Sequence, residues 1–292
     1  MPVLIGTSGW QYRDWKGLFY PAEVPQARWL DHYAGRFATV ELNNSFYRLP
    51  EAETFEHWRR NTPEGFVIAV KASRYLTHVK RLEDPAEPVE RLMSRAARLE
   101  ERLGPVLLQL PPNLRADADA LDVTLRCFPA GVRVAVEVRH PSWCAADVRA
   151  VLERHGAAWC MADGGPVPLP RWRTADWSYV RFHRGGGRPP SCYTRSPLQT
   201  WARHLASLYD SSNDIYCYFN NDANGCAVRD ARRFASAVTR AGLEASRVPG
   251  WRETPVRGGE GRQESSTSAS ASMDRTVGRT PSTAKRPPRP AT

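Results

Sequence analysis

The sequence predicts an α/β fold of the (β/α)8 TIM-barrel type followed by a disordered basic C-terminal tail, and three observations carry that expectation. Eight short runs rich in β-branched and aromatic residues recur between residues 3 and 220, each of strand length. Most of the intervening segments place apolar residues at helical spacing. The runs start 21 to 40 residues apart, around the ~30 that a βαβ unit occupies.

In chain order, VLIGTS from residue 3 is followed by the helical pattern QARWLDHYAGRF, then ATVELN from 38 and AETFEHWRRN. FVIAVKA from 66 precedes EPVERLMSRAARLEERLG, which Pro85 and Pro88 open and Gly104 is expected to stop. VLLQL from 106 leads to DADALDVTLRCF. RVAVEV from 133 leads to AADVRAVLERHG, with Gly156 as its stop. AAWCMAD from 157 is the exception, because GGPVPLPRW behind it leaves no room for a proper helix. SYVRFH from 178 precedes PLQTWARHLASLYD, and IYCYFN from 215 precedes VRDARRFASAVTRAG with Gly242 after it. An open doubly wound sheet is the competing fold, but no G-x-G-x-x-G follows the first strand.

Alternation along the strands predicts which side chains face the barrel axis. In VRVAVEVRHPSW (132–143), Val134, Val136 and Val138 face the helices, so Ala135, Glu137 and Arg139 face inward, with the charged pair nearest the C-terminal mouth. The same parity turns inward Thr39, Glu41 and Asn43; Ala69 and Lys71; Leu107 and Gln109; Met161 and Asp163; Tyr179, Arg181 and His183; and Tyr218 and Asn220. In these seven strands the last inward residue is polar. Burying that many ionisable groups costs free energy unless they pair or line a solvated site. Barrel enzymes place their chemistry at that mouth. The competing reading is a structural ion-pair network of Glu41, Lys71, Glu137, Arg139 and Arg181 that plugs the barrel.

Composition narrows the function. The chain of 292 residues carries a net charge of +10. Residues 245–292 hold nine Arg or Lys against four Asp or Glu, so half of the excess lies in a Gly-, Ser-, Thr- and Pro-rich stretch with little to bury. The expected domains are therefore a barrel over 1–244 and a disordered tail over 245–292. A nucleic-acid partner is conceivable through that tail but is not favoured. The six cysteines, at 127, 144, 160, 192, 217 and 226, form no C-x-x-C or zinc spacing and read as reduced core residues of a cytoplasmic protein. No leader-like start and no apolar run of about 18 residues is present, so no membrane role is expected. With no G-x-S-x-G and no P-loop, nucleophilic serine hydrolysis and NTP use have no support.

The motifs GTSGWQYRDWKGLFYP (6–21), VELNNSFYRLP (40–50), FVIAVKAS (66–73), THVKRL (77–82), LLQLPP (107–112), VEVRHPSW (136–143), YVRFH (179–183) and YFNNDANGCAV (218–228), in that order, strongly resemble the YecE-like family, also called domain of unknown function 72. The match spans about residues 3–242. The resemblance implies a (β/α)8 barrel and supplies no reaction. One departure is that His183 is followed by Arg184 and only then by Gly185, Gly186 and Gly187, where the family usually has Gly directly.

These residues point to an enzyme acting on a small anionic or polyhydroxylated substrate. Glu41, Glu137 and Asp163 are acid/base candidates, and Lys71 and His183 are candidates of different charge. Arg139 and Arg181 suit a phosphate or carboxylate. Asn43, Gln109, Asn220 and Asn221 supply amides, and Trp10, Tyr12, Tyr47 and Trp143 offer rings for stacking or for roofing the barrel. The run from Arg184 to Arg188 exposes backbone N–H groups where barrels often hold phosphate. No cofactor is predicted. A divalent metal at Glu137, Asp163 and His183, with Asn220 or Asp222, is a secondary alternative that the surrounding cations disfavour. A nucleic-acid-binding or nuclease-like protein and a non-catalytic scaffold barrel are the competing functions.

Overall fold

A computed structural model describes residues 2–164 and 169–253. Nine strand segments form two parallel sheets. β1 (Val3–Thr7), β7 (Met161–Asp163), β8 (Ser178–Phe182) and β9 (Ile215–Phe219) pair in the order β1-β9-β8-β7. β2 (Thr39–Leu42), β3 (Val67–Lys71), β4 (Leu103–Gln109), β5 (Val134–Glu137) and β6 (Ala158–Trp159) pair in sequence order.

The sheets join at two seams. Ser8, just past β1, makes a parallel bridge to Glu41 in β2. β6 and β7 are halves of one strand interrupted at Cys160, whose N–H still donates to Val136 O at 3.0 Å. The strands therefore follow one another around a barrel, in the expected order. Helices α1 (Trp29–Ala34), α2 (Asn44–Tyr47), α3 (Ala52–Arg60), α4 (Ala86–Ala96), α5 (Ala118–Arg126), α6 (Ala146–Arg154), α7 (Arg195–Leu208) and α8 (Cys226–Arg240) lie in the connections. Gly156 (φ 57°) and Gly242 (φ 90°) end α6 and α8 in the left-handed conformation their positions suggested.

Gly104 is not a helix stop. It lies within β4, where a Cβ would fall 2.6 Å from Val67 Cγ1 and 3.2 Å from Ala69 N, so the missing side chain permits a close strand approach. Behind β7 no helix occurs among the described residues before Ser178. The irregular stretch 169–177 covers that face instead: Trp172 packs on Trp159 at 4.7 Å, and Trp159 donates its indole N–H to Pro170 O.

Two apolar layers follow from strand alternation. The outer one, against the helices, contains Val40, Leu42, Ile68, Val70, Val106, Leu108, Val134, Val136, Phe182 and Phe219. The inner one contains Ala69, Leu107, Ala135, Ala158, Cys160, Trp177, Tyr179, Tyr216 and Tyr218. Parity holds for every strand except the sixth. There Ala158 and Cys160 belong to the inner layer, whereas Trp159 and Met161 pack outward, the reverse of the expected register. Tyr179, Trp177 and Tyr218 already fill the axis, so only small side chains fit beside them.

Two further expectations change. Cys192 and Cys226 form a disulfide with Cα atoms 4.9 Å apart, tying the loop after β8 to the start of α8; Cys127, Cys144, Cys160 and Cys217 are free. Residues 245–253, at the head of the expected tail, run alongside the barrel. Ser246 N–H donates to Val3 O, Ile5 N–H donates to Ser246 Oγ, and the Arg247 guanidinium donates to the carbonyls of Ala34 and Phe37. The tail from residue 254 onward, with the nucleic-acid role it suggested, lies outside the described residues. No described helix is long and apolar enough to cross a membrane.

Candidate functional site

At the C-terminal ends of β2, β3, β4, β5 and β8 the inward side chains converge. Arg181, on β8, is almost fully buried and carries the centre of the arrangement. Its Nη1 donates to Glu137 Oε2 at 2.6 Å and its Nη2 to Glu41 Oε1 at 2.7 Å. The Tyr179 hydroxyl donates to Glu41 Oε2 at 2.6 Å. Both oxygens of Glu41 are thereby occupied, and its side chain is 0% exposed. This layer holds Glu41, Arg181 and Glu137 of the five-residue ion-pair network considered from sequence, whereas Lys71 bonds to the Gln109 amide.

Above the plug the chemistry opens. Three groups approach Glu137 Oε1 from the mouth: Gln109 Nε2 donates at 2.9 Å, Arg139 Nε donates at 3.2 Å, and His183 Nε2 lies 3.3 Å away. On its other side, His183 Nδ1 is 3.2 Å from the Asn220 amide nitrogen, and Asn220 Oδ1 in turn lies 3.5 Å from the Asn43 amide nitrogen. Lys71 Nζ donates to Gln109 Oε1 at 2.8 Å and lies 4.0 Å from the centroid of the Phe46 ring. Exposure rises from 2% at the Glu137 side chain to 15% at His183 and 34% at Arg139. Glu41 is thus sealed in the plug, Glu137 and Lys71 are buried just above it, and His183 and Arg139 are the partly exposed members of the group.

The electrostatics follow from this geometry. Burial works to raise the Glu137 carboxyl, but Arg181, the adjacent His183 and Arg139 together hold it well below the usual carboxylate range. Burial foremost, with Arg181 and Arg139 adding and Glu41 and Glu137 opposing, brings Lys71 down to about 8. Burial and then the charges of Asp222 and Glu41 raise the Tyr12 phenol, whose hydroxyl hydrogen-bonds to Ser8 O at 2.5 Å. Ser8 Oγ, Asn43 Oδ1 and His183 Nε2 are buried polar atoms without a hydrogen-bond partner among the described residues. A hollow of about 80 Å³ lies beside Asn43, lined also by Gly9, Trp10, Gln11, Tyr12, Leu42 and Asn44.

Other predicted residues lie elsewhere. Asp163 follows the reversed register of β7 and interacts with the Tyr193 hydroxyl on the outer side, away from Glu137. The set Glu137, Asp163 and His183 is therefore not assembled, and among the described residues no group of three His, Cys, Asp or Glu side chains stands close enough to hold a metal. Trp143 is 0% exposed and donates its indole N–H to Leu114 O. Trp10 packs edge-on against Trp58 and shows little more than its rim. Asn221 turns towards Ser191 O and Asp230 Oδ2. Tyr47 is exposed but faces a separate pocket of about 280 Å³ with Phe46, Tyr75, Arg91 and Arg95. The glycine run does not offer its amides freely. Gly185 and Gly187 N–H groups donate to Ser191 O and Cys192 O, and a Cβ on either residue would collide with the Cys192 carbonyl. Ser8, missed from sequence, sits where a β1 residue of inward parity must fall; its signal was the parity of VLIGTS.

The family model described as "Protein of unknown function DUF72" matches residues 4–253. The chain belongs to the DUF72 family. It is 26% identical over 264 residues to the UPF0759 protein YunF of Bacillus subtilis, a match covering 79% of this chain and 93% of that protein. A solved DUF72 family protein of Thermotoga maritima superimposes with a TM-score of 0.70 at 29% identity, over 82% of this chain and all of the other. A DUF72 family protein of Enterococcus faecalis shares the fold with a TM-score of 0.67 at 16% identity, over 81% and 95% of the two chains. The match reaches Glu253, so residues 245–253 belong to the DUF72 region.

Proposed function

We propose that this DUF72 protein is an enzyme acting at the C-terminal mouth of its barrel on a small anionic or polyhydroxylated substrate. One observation carries the reading: His183 lies between Glu137 and the Asn220 amide, its side chain 15% exposed, above a buried charge layer that fixes Glu137. An amide nitrogen can only donate, so Asn220 makes Nδ1 of a neutral His183 the acceptor and leaves the proton on Nε2, facing Glu137. An imidazole N–H, an amide that orients the ring and a neighbouring carboxylate that can take up a proton are parts that general acid–base catalysis uses. Lys71, with a value near 8, is partly neutral in the physiological range and supplies a second base or a nucleophile. Arg139 contributes binding charge.

The test is a defined library of sugars, sugar phosphates and hydroxy acids incubated with the full chain and followed by mass spectrometry. At least one compound should be consumed, and His183→Asn should slow its consumption by roughly a hundredfold or more, the usual worth of a positioned acid–base group. A wild-type protein that changes none of them, or a His183→Asn variant as fast as wild type, overturns the proposal.

A further inference from the structure

We infer that the segment after β3, together with Lys71 and Arg139, is a binding subsite for the phosphate monoester group of a small-molecule substrate. This deepens the proposed function and rests on its placing the substrate in the mouth. The segment has unusual backbone. Tyr75–Val79 forms one turn of π-helix, and three non-glycine residues behind it adopt positive φ: Arg81 at 52°, Leu82 at 72° and Asp84 at 42°. Such conformations cost free energy and persist only where the surroundings enforce them, often at functional sites. Here the buried Leu82 side chain, the bond from Leu82 N–H to Leu76 O at 3.1 Å, and the bond from Arg81 Nη2 to Asn113 O at 2.7 Å do the enforcing.

The shape brings basic groups to one side of the rim. Phe46 lies between Lys71 Nζ, 4.0 Å from its centroid, and the His78 ring, 5.0 Å away. The His78 imidazole is brought down to about 4 by burial and then by Lys71, Arg74, Arg139 and Arg81, with no carboxylate among the leading influences. The charge there is not balanced within the protein. Glu41 and Glu137 offset two of the three cations Lys71, Arg139 and Arg181, and neither Arg74 nor Arg81 forms an ion pair among the described residues. Arg139 commits Nε to Glu137, and no described bond occupies its terminal nitrogens. A dianion with several acceptor oxygens offsets this excess better than a single carboxylate.

The experiment uses the full chain, purified without phosphate or sulfate, and isothermal titration with inorganic phosphate, ribose 5-phosphate, ribose, and an oligonucleotide with and without a 5′-phosphate. Inorganic phosphate and ribose 5-phosphate should bind saturably and compete, and ribose alone should bind far more weakly. The double variant Arg74→Gln with Arg139→Gln should weaken phosphate by roughly tenfold or more, as expected from the loss of a charge-assisted hydrogen bond. Arg74→Gln alone, at an exposed rim position, should show part of that loss and keeps the test valid if the double variant folds poorly. Unchanged affinity in both variants overturns the subsite, as does the lack of saturable phosphate binding by wild type. Oligonucleotide binding that inorganic phosphate does not displace also overturns it, in favour of a nucleic-acid ligand. Phosphate binding without turnover of any library compound keeps the subsite and removes the proposed enzyme. Turnover of unphosphorylated compounds without phosphate binding does the reverse.

Discussion

Lys71 is where the demands of folding and of the proposed chemistry conflict. Its ammonium is buried against the neutral Gln109 amide and the Phe46 ring, and its value falls from the ordinary 10.5 to about 8. Between those pH values the unfolded chain holds a proton that the folded chain lacks, so stability should rise as pH goes from about 8 to 10.5. Below 8 the full penalty stands, about 3 kcal/mol at most. Lys71→Met should therefore stabilise the fold at pH 7 by about 1–2 kcal/mol, net of the partner Gln109 loses, and should flatten the alkaline rise. Urea unfolding at pH 7 and pH 10 measures both; a variant that keeps the rise contradicts the assignment. Arg181 has the opposite sign. Replacing it with Met leaves Glu41 buried without a cation and Glu137 with Arg139 alone on one oxygen, which should cost about 3–5 kcal/mol. The support Glu137 lends is present above the usual carboxylate range and is lost only as pH falls through its lowered value. Without Arg181 the largest part of that protection goes, so acid unfolding of Arg181→Met should begin at higher pH than in wild type. These residues were legible before any coordinates because alternation in RVAVEV, ATVELN and SYVRFH leaves one face for their charges.

The segments show why the rest was not legible. In AAWCMAD small and large apolar residues alternate and the one polar marker, Asp163, falls on the outward face; the inner face is chosen by what Tyr179 and Trp177 leave free, which is a property of neighbouring strands. Asp163 takes the outward face for that reason, and Glu137, Asp163 and His183 are not gathered among the described residues. The π-turn at Tyr75–Val79 has no signature in the chain beyond the absence of helical spacing. The Cys192–Cys226 pair was missed because 34 residues separate its members, and spacing rules see only local patterns. That separation allows a prediction for the loop after β8. In the chain-entropy account a link of this length stabilises by about 3–4 kcal/mol, which for a domain of this size lowers the melting temperature by roughly 10 °C when it is lost. Thermal unfolding of wild type with and without reductant, beside the double variant Cys192→Ser with Cys226→Ser, tests it. The reduced protein and the variant should melt together, and a variant that melts with oxidised wild type would show that the bridge carries no stability.

At the scale of the molecule the question is where the barrel needs its last residues. Composition changes after residue 244, yet the backbone from Glu244 to Ser246 continues beside β1. Val3 N–H donates to Glu244 O at 2.7 Å, Ser246 exchanges bonds with Val3 and Ile5, Arg247 holds the carbonyls of Ala34, the last residue of α1, and of Phe37 beyond it, and Glu253 pairs with Arg36. Polar composition hid this, because the segment contributes hydrogen bonds instead of apolar surface. β1 is also where Gly6 lets its neighbour approach, its missing Cβ lying 2.3 Å from Thr39 O, and where Ser8 reaches the seam with Glu41. Loosening it should therefore reach the mouth. Two truncations separate the cases. A chain ending at Glu253 keeps all of these bonds and should melt within about 1 °C of the full chain. A chain ending at Glu244 loses the bonds made by Ser246, Arg247 and Glu253, about 3 kcal/mol at ~1 kcal/mol for each group, and should melt roughly 6–12 °C lower. If the two truncated chains melt together, the strand-side run of residues 245–253 contributes nothing to the barrel, and the seam between β1 and β2 stands without it.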